Sequence, residues 1–205
     1  VLIPRPETEL MVEEVLKILN SQGYPPSSPL SKGGKFKNPS SPPRTKGRTK
    51  TLLIDMGTGS GCIPISIVKN SNIDAIAIDA SLTALKIARQ NARRNGVDKK
   101  IKFIKNDLLK NWKLEIGNWK LILITANLPY LPTAEWRGAM PDVKKYEPRV
   151  ALDGGPDGLN YYRGLLLQIA ILAKKTPNIK IVCLFEFCPE QKNALKKLAL
   201  KYFPN

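Results

Sequence analysis

The sequence predicts a doubly wound α/β domain, a mostly parallel sheet with helices on both faces. Strand-length runs at residues 51–55, 73–79, 101–105, 120–126 and 179–187 are largely apolar rather than alternating, as expected for strands buried on both sides. Amphipathic helical stretches separate them, and the first strand runs directly into a glycine-rich turn.

Taken in order, residues 7–20 read as a helix. Pro6 suits its first turn, Glu7 and Glu9 favour the positive end of the dipole, and Leu10, Val15, Ile18 and Leu19 recur on one face. Residues 21–50 then change to Ser, Pro, Gly and Lys, with six prolines and almost nothing to bury. Such a stretch cannot offset its ordering entropy, so it is expected to be a disordered insert, either a plain surface extension or a basic arm touching RNA. Strand 51–55, helix 62–70 and strand 73–79 follow. Ser81 caps a helix with Leu82, Leu85, Ala88 and Ala92 on one side, which Gly96 ends. Strands 101–105 and 120–126 come next. Residues 131–157 are expected to be irregular, 158–175 helical, 179–187 a fifth strand, and a last helix starts near Glu190. The organisation is thus a helix at 1–20 leading into the domain, the insert at 21–50, and the main domain at 51–205. The chain opens on Val1 inside a motif-like stretch, which reads as a piece of a longer protein.

The 205 residues suit one compact domain carrying an insert, and 42% hydrophobic with 24% charged residues is ordinary for a soluble protein. No apolar run approaches the ~18 residues of a membrane span, and no leader precedes the first helix. Histidine is absent, which excludes His-based triads and imidazole zinc sites; no metal site is expected. Cys62, Cys183 and Cys188 are odd in number and not in Cys-x-x-Cys spacing, as for reduced thiols of a cytoplasmic protein. Seven of the net sixteen positive charges lie in residues 21–50. The remaining nine fit either a phosphate-rich partner or a lysine-rich, soluble surface.

The chemistry concentrates at strand tips, where ligands bind in doubly wound sheets. The first strand ends in Asp55-Met56-Gly57-Thr58-Gly59-Ser60-Gly61, whose glycines let the backbone turn sharply against a ligand, a device shared by dinucleotide and S-adenosyl-L-methionine sites. About 20 residues on, Asp79 ends the second strand, where a carboxylate suits a ribose diol. After the third strand, Asp107 can accept from an adenine amine while Leu108 packs on the ring; a turn-forming Asn-Asp pair is the competing reading. The fourth strand runs into Asn127-Leu128-Pro129-Tyr130. An amide or amino nitrogen is a poor nucleophile because its lone pair is delocalised. The Asn127 side-chain oxygen and the Leu128 carbonyl could hold both of its N–H groups and aim it at a methyl donor, with Tyr130 stacking on the flat group.

Val1-Leu2-Ile3-Pro4-Arg5-Pro6-Glu7-Thr8-Glu9, the glycine turn, Asn127–Tyr130, Tyr146-Glu147-Pro148-Arg149 and Ala151-Leu152-Asp153-Gly154-Gly155 together resemble the PrmC (HemK) family. These are Rossmann-like, S-adenosyl-L-methionine-dependent methyltransferases that modify the glutamine of the Gly-Gly-Gln motif in class 1 peptide-chain release factors. The resemblance implies cofactor contacts at Asp55, Met56, Gly57, Thr58, Gly59, Asp79, Asp107, Leu108 and Asn127, and a substrate glutamine on Asn127, Leu128, Pro129 and Tyr130. Arg5 and Glu7 would lie near the active site. It also implies a release factor as partner and a cytoplasmic monomer; the charge of the basic insert, which the resemblance does not cover, allows a weak nucleic-acid contact. Three departures stand out. Leu128 replaces the first proline of the family's Asn-Pro-Pro-Tyr, the small helical domain ahead of the opening motif is missing, and the family's last strands are missing, which leaves a sheet edge exposed. The alternatives are an amino-methyltransferase acting on adenine or cytosine of nucleic acid, an inactive truncated cofactor-binding module, and, least, a nicotinamide enzyme whose glycine spacing departs from Gly-x-Gly-x-x-Gly.

Overall fold

The computed structural model describes residues 6–24, 50–71, 73–111 and 118–204. Arg5, the side chain of Glu7, and residues 25–49 of the expected insert lie outside the described residues.

Helix α1 (Pro6–Ser21) precedes strand β1 (Thr51–Met56), helix α2 (Cys62–Ser71), β2 (Asp74–Asp79), α3 (Leu82–Arg94), β3 (Ile101–Lys105) and β4 (Leu121–Ala126). Two short helices, α4 (Thr133–Gly138) and α5 (Pro141–Tyr146), lead to α6 (Asn160–Lys175), β5 (Lys180–Phe185) and α7 (Lys192–Tyr202). The five strands pair in parallel in the order β3-β2-β1-β4-β5. This is the doubly wound α/β sheet that the apolar runs predict. The central β1 and β4 are buried at every position, whereas the flanking β3 and β5 are partly exposed.

Alternation along each strand divides the core in two. Leu53, Ala75, Ala77, Leu121 and Leu123 face α1, α2 and α3, packing with Met11, Val15, Leu19, Ile67 and Ala92. Leu52, Ile54, Met56, Ile122 and Ile124 face α6 and α7, packing with Tyr162, Leu165, Leu166, Ile169 and Leu195. Helix α1 rests on α2 and β5, so it packs as part of the same domain as the sheet.

Several expectations need correction. Residues 131–157 are not irregular: α4, α5 and a 3-10 turn at Arg149–Ala151 occupy much of them. These elements are too short to show a helical period in sequence. Leu10 and Leu82 are 62% and 58% exposed; Met11, Val15 and Leu19 carry the buried face of α1, and Ala84, Leu85, Ala88 and Ala92 that of α3. The expected insert also begins late, because the Tyr24 ring is buried in the core beneath α1. Helix α6 starts at Asn160 rather than 158, since Gly158 turns with φ +75°. Ser81 does cap α3, accepting from the Ala84 N–H at 3.2 Å, and Gly96 follows its end with φ +70°.

Candidate active site

The sheet register builds the site. Met56 pairs with Ile78 on one side and Ala126 on the other, and Ala126 pairs with Phe185. The next residue on each strand therefore falls in one row at the carboxyl end: Gly57, Asp79, Asn127 and Glu186. The strand order reverses between β1 and β4 at this row, where a doubly wound sheet opens a crevice.

Beside β1, the turn Gly57–Gly61 carries three glycines with positive φ: +68° at Gly57, +56° at Gly59 and +80° at Gly61. A Cβ on Gly57 would lie 2.8 Å from Leu128 Cδ2 and 3.8 Å from the Asn127 carbonyl oxygen, so the turn and the tetrapeptide touch here. Asp79 ties the turn to β2. Its Oδ2 accepts from the Gly59 N–H at 2.9 Å and its Oδ1 from the Ser81 N–H at 2.8 Å. Ser81 thus shares the helix entry with Asp79 instead of freeing it from local work, as the sequence suggests. The carboxylate is still half-exposed and keeps lone pairs for a ligand.

Beneath the turn, Asp55 is buried. Thr125 Oγ1 donates to Asp55 Oδ1 at 2.7 Å, while Oδ2 and the buried Thr58 hydroxyl have no hydrogen-bond partner among the described residues. Burial pushes the Asp55 carboxyl up to about 7, against the Thr125 and Thr58 hydroxyls, which favour the anion. An orphaned carboxylate oxygen under a glycine turn suits an incoming cationic N–H donor. At β3, Asp107 is exposed and Leu108 half-buried, and Leu108 adopts φ +51°, a strained conformation for leucine. The loop is held by Asn106 Nδ2 donating to the Leu108 carbonyl at 3.0 Å, and by the Leu109 N–H donating to Gln168 Oε1 at 2.6 Å. The Asn106 N–H donates to the Asp79 carbonyl at 3.1 Å, which brings this loop beside β2.

The tetrapeptide is fixed from several sides. The Leu128 side chain is buried in the α6 face of the core, against Gly57. Asn127 Nδ2 donates to Thr8 Oγ1 at 3.1 Å, and Thr8 donates to Glu186 Oε2 at 2.8 Å. The Tyr130 hydroxyl donates to Glu186 Oε1 at 3.3 Å, and Gln191 Nε2 donates to the Tyr130 carbonyl at 2.8 Å and the Asp157 carbonyl at 2.9 Å. Among the described residues, no N–H or O–H donates to the Leu128 carbonyl oxygen or to Asn127 Oδ1. Among the described residues, two acceptors are therefore left at the strand tip, on a backbone held from several sides.

Sequence reasoning missed much of this support. A Cβ on Gly154 would lie 2.5 Å from the Pro129 carbonyl oxygen, and one on Gly158 would overlap the Tyr130 carbonyl. The segment Asp153–Gly158 is therefore a cradle pressed against the tetrapeptide backbone. Leu131 and Gly154 close it with bonds of 2.9 and 2.8 Å, from the Leu131 N–H to the Leu152 carbonyl and from the Gly154 N–H to the Leu131 carbonyl. Hydrogen bonds from Thr133 and the Gly155 N–H, together with Arg149, hold Asp153 down to about 2. Thr8, Glu186 and Gln191 were also missed. The strand-tip rule could have flagged Glu186, which directly follows β5.

A methyltransferase-domain family matches residues 53–146. The chain is 32% identical, over its whole length and 62% of the relative's, to a release factor glutamine methyltransferase of Bacillus cereus. A protein of the same name from Thermodesulfovibrio yellowstonii is 36% identical over 81% of this chain and half of its own length. The chain therefore spans about half to three-fifths of these curated relatives. Among solved structures, a ribosomal protein L11 methylase from Lactobacillus delbrueckii subsp. bulgaricus superposes with TM-score 0.55 at 15% identity, over 98% of this chain and 70% of that one. A human methyltransferase 10 domain containing protein gives 0.55 at 14%, over 99% of this chain and 75% of that one. These two likenesses bear on the fold alone.

Proposed function

We propose that this chain, a homologue along its whole length of the release factor glutamine methyltransferases, methylates the side-chain amide nitrogen of a glutamine in the Gly-Gly-Gln motif of class 1 release factors. The observation that carries the proposal is the pair of acceptors, Asn127 Oδ1 and the Leu128 carbonyl, to which no described residue donates, next to the glycine turn.

The residues present fit S-adenosyl-L-methionine. The orphaned Asp55 Oδ2 and Thr58 hydroxyl suit its ammonium group, the Gly57–Gly59 backbone its amino-acid part, and Asp79 its ribose. Asp107 and Leu108 suit the adenine, with Met56 lying under the turn. When bound, the cofactor supplies an electrophilic methyl group.

The chain's own residues supply orientation. Two acceptors hold both N–H groups of the substrate amide, so its nitrogen is presented in one direction, and they stabilise the positive charge that grows as this nitrogen forms a new bond. Tyr130, tethered through its hydroxyl and its carbonyl, offers a ring against the flat amide. Pro129 removes one donor from the loop and biases Leu128 towards extended backbone, so a leucine there retains the acceptor. No histidine is needed, because the released proton can pass to water once the nitrogen has reacted.

The same proposal makes the release factor the protein partner of a cytoplasmic monomer, and limits the basic segment 21–50 to weak contact with nucleic acid. The free thiols of Cys62, Cys183 and Cys188 support a reducing compartment. No helix among the described residues is long and apolar enough to cross a membrane.

Incubation with methyl-labelled cofactor and either a release factor or nucleic acid tests the proposal. Label is expected on the release-factor glutamine alone. It should be lost in Asn127→Ala, while S-adenosylhomocysteine still binds measurably through the glycine turn, Asp55 and Asp79. Label on nucleic acid, or on neither with cofactor bound, overturns the proposal.

A further inference from the structure

Resting on that proposed function, we infer that Thr8 and Glu186 are positioning residues that decide which end of the Asn127 amide the substrate meets. An asparagine amide carries an acceptor on one side and two donors on the other, and half a turn about its terminal bond exchanges them. Only the acceptor end can hold a substrate N–H. A residue of the right type at the strand tip is therefore not enough; something must fix its sense.

The hydrogen-bond chain running away from the site does so. Glu186 accepts on both oxygens, from Thr8 Oγ1 at 2.8 Å and from the Tyr130 hydroxyl at 3.3 Å, so the single hydrogen of Thr8 is given to it. With that hydrogen spent, Thr8 Oγ1 can only accept from Asn127, at 3.1 Å from Nδ2. The Asn127 NH2 group is then committed to Thr8, and Oδ1 faces the site. Water has little chance to substitute in this chain, because Thr8 is only 5% exposed. Glu186 in turn is held on four sides. The Tyr130 hydroxyl donates to its Oε1 at 3.3 Å, the Tyr162 hydroxyl donates to its carbonyl, its N–H donates to the Ala126 carbonyl at 3.0 Å, and Thr8 takes Oε2. One carboxylate thereby sets both the sense of the Asn127 amide and the position of the Tyr130 ring.

Thr8→Val keeps the shape and removes the relay, and Thr8→Ser restores it. Transfer to a Gly-Gly-Gln peptide should fall about 10- to 100-fold in kcat for Thr8→Val, the scale of a misaimed group. It should stay within about 3-fold of wild type for Thr8→Ser, under half of the tenfold that one lost net hydrogen bond would cost. Affinity for S-adenosylhomocysteine should be unchanged in both. In parallel, the side-chain 15N–1H2 signals of Asn127 should move in Thr8→Val and stay in Thr8→Ser. Glu186→Gln, whose amide can give or take, should split or broaden those signals. Wild-type transfer by Thr8→Val with unmoved Asn127 signals overturns the inference. If the wild-type chain fails to methylate the peptide, the proposed function falls, and the Asn127 signals alone still decide whether the relay sets the amide.

Discussion

Two glycines with nearly the same backbone give an internal comparison of the cradle. Gly96 has φ +70° and would place a Cβ in open space; Gly158 has φ +75° and would place one inside ordinary contact of the Tyr130 carbonyl oxygen and Gln191 Nε2. Gly96→Ala therefore meets backbone strain alone and should cost about 1 kcal/mol. Gly158→Ala meets the same strain with two additions. Crowding in a packed region costs about 1–3 kcal/mol, and separating the Gln191 amide, only 7% exposed, from the Tyr130 carbonyl costs about 1–3 kcal/mol. The total is about 3–7 kcal/mol. Urea denaturation of both variants, with slopes compared to wild type, reads the difference directly. The displaced Tyr130 carbonyl should also slow methyl transfer by Gly158→Ala, while folded Gly96→Ala should transfer at the wild-type rate. Costs for the two variants that agree within about 0.5 kcal/mol would refute the close packing of the cradle on the tetrapeptide.

Asp55 predicts an unusual pH dependence. Its folded carboxyl sits near 7, above the unfolded value, so the folded state holds the proton more tightly, and the contribution is full at low pH and lost as pH rises from about 4 to 7. Asp55→Asn should therefore match wild-type stability near pH 4 and exceed it increasingly up to pH 8, by on the order of a few kcal/mol; parallel stability curves would contradict the buried, protonated carboxyl. Tyr162→Phe removes the fully buried hydroxyl that donates to the Glu186 carbonyl, and should lower unfolding free energy by about 1–3 kcal/mol. Asp79→Ala unties Gly59 and Ser81 and removes the diol acceptor, so calorimetric affinity for S-adenosylhomocysteine should fall about 10- to 100-fold.

The sheet was legible in the sequence because β1 and β4 are mostly apolar, and they are buried throughout. The glycine turn was equally plain, since its three positive-φ positions are all glycine. Helices α4 and α5 were not legible; six residues each give less than two turns of pattern. Leu10 and Leu82 misled because each lies just outside the buried stripe of its helix, where an apolar side chain can remain in water at little cost. Asn127 was found from its own short motif, but the groups that orient it were not. Thr8 and Glu186 are ordinary in their local sequence, and their partnership exists only once α1 crosses the end of β5. Gly154 and Gly158 look like turn residues in the chain; their purpose shows only in what a methyl group there would strike.

The contact between Thr8 and Glu186 joins residues 178 positions apart. During synthesis on the ribosome, the glycine bend and the tetrapeptide emerge well before β5 does. A nascent chain can thus shape the floor of its pocket while the side chain above it is still free to swing either way. Readiness for chemistry then arrives only when α1 and β5 close over the same amide.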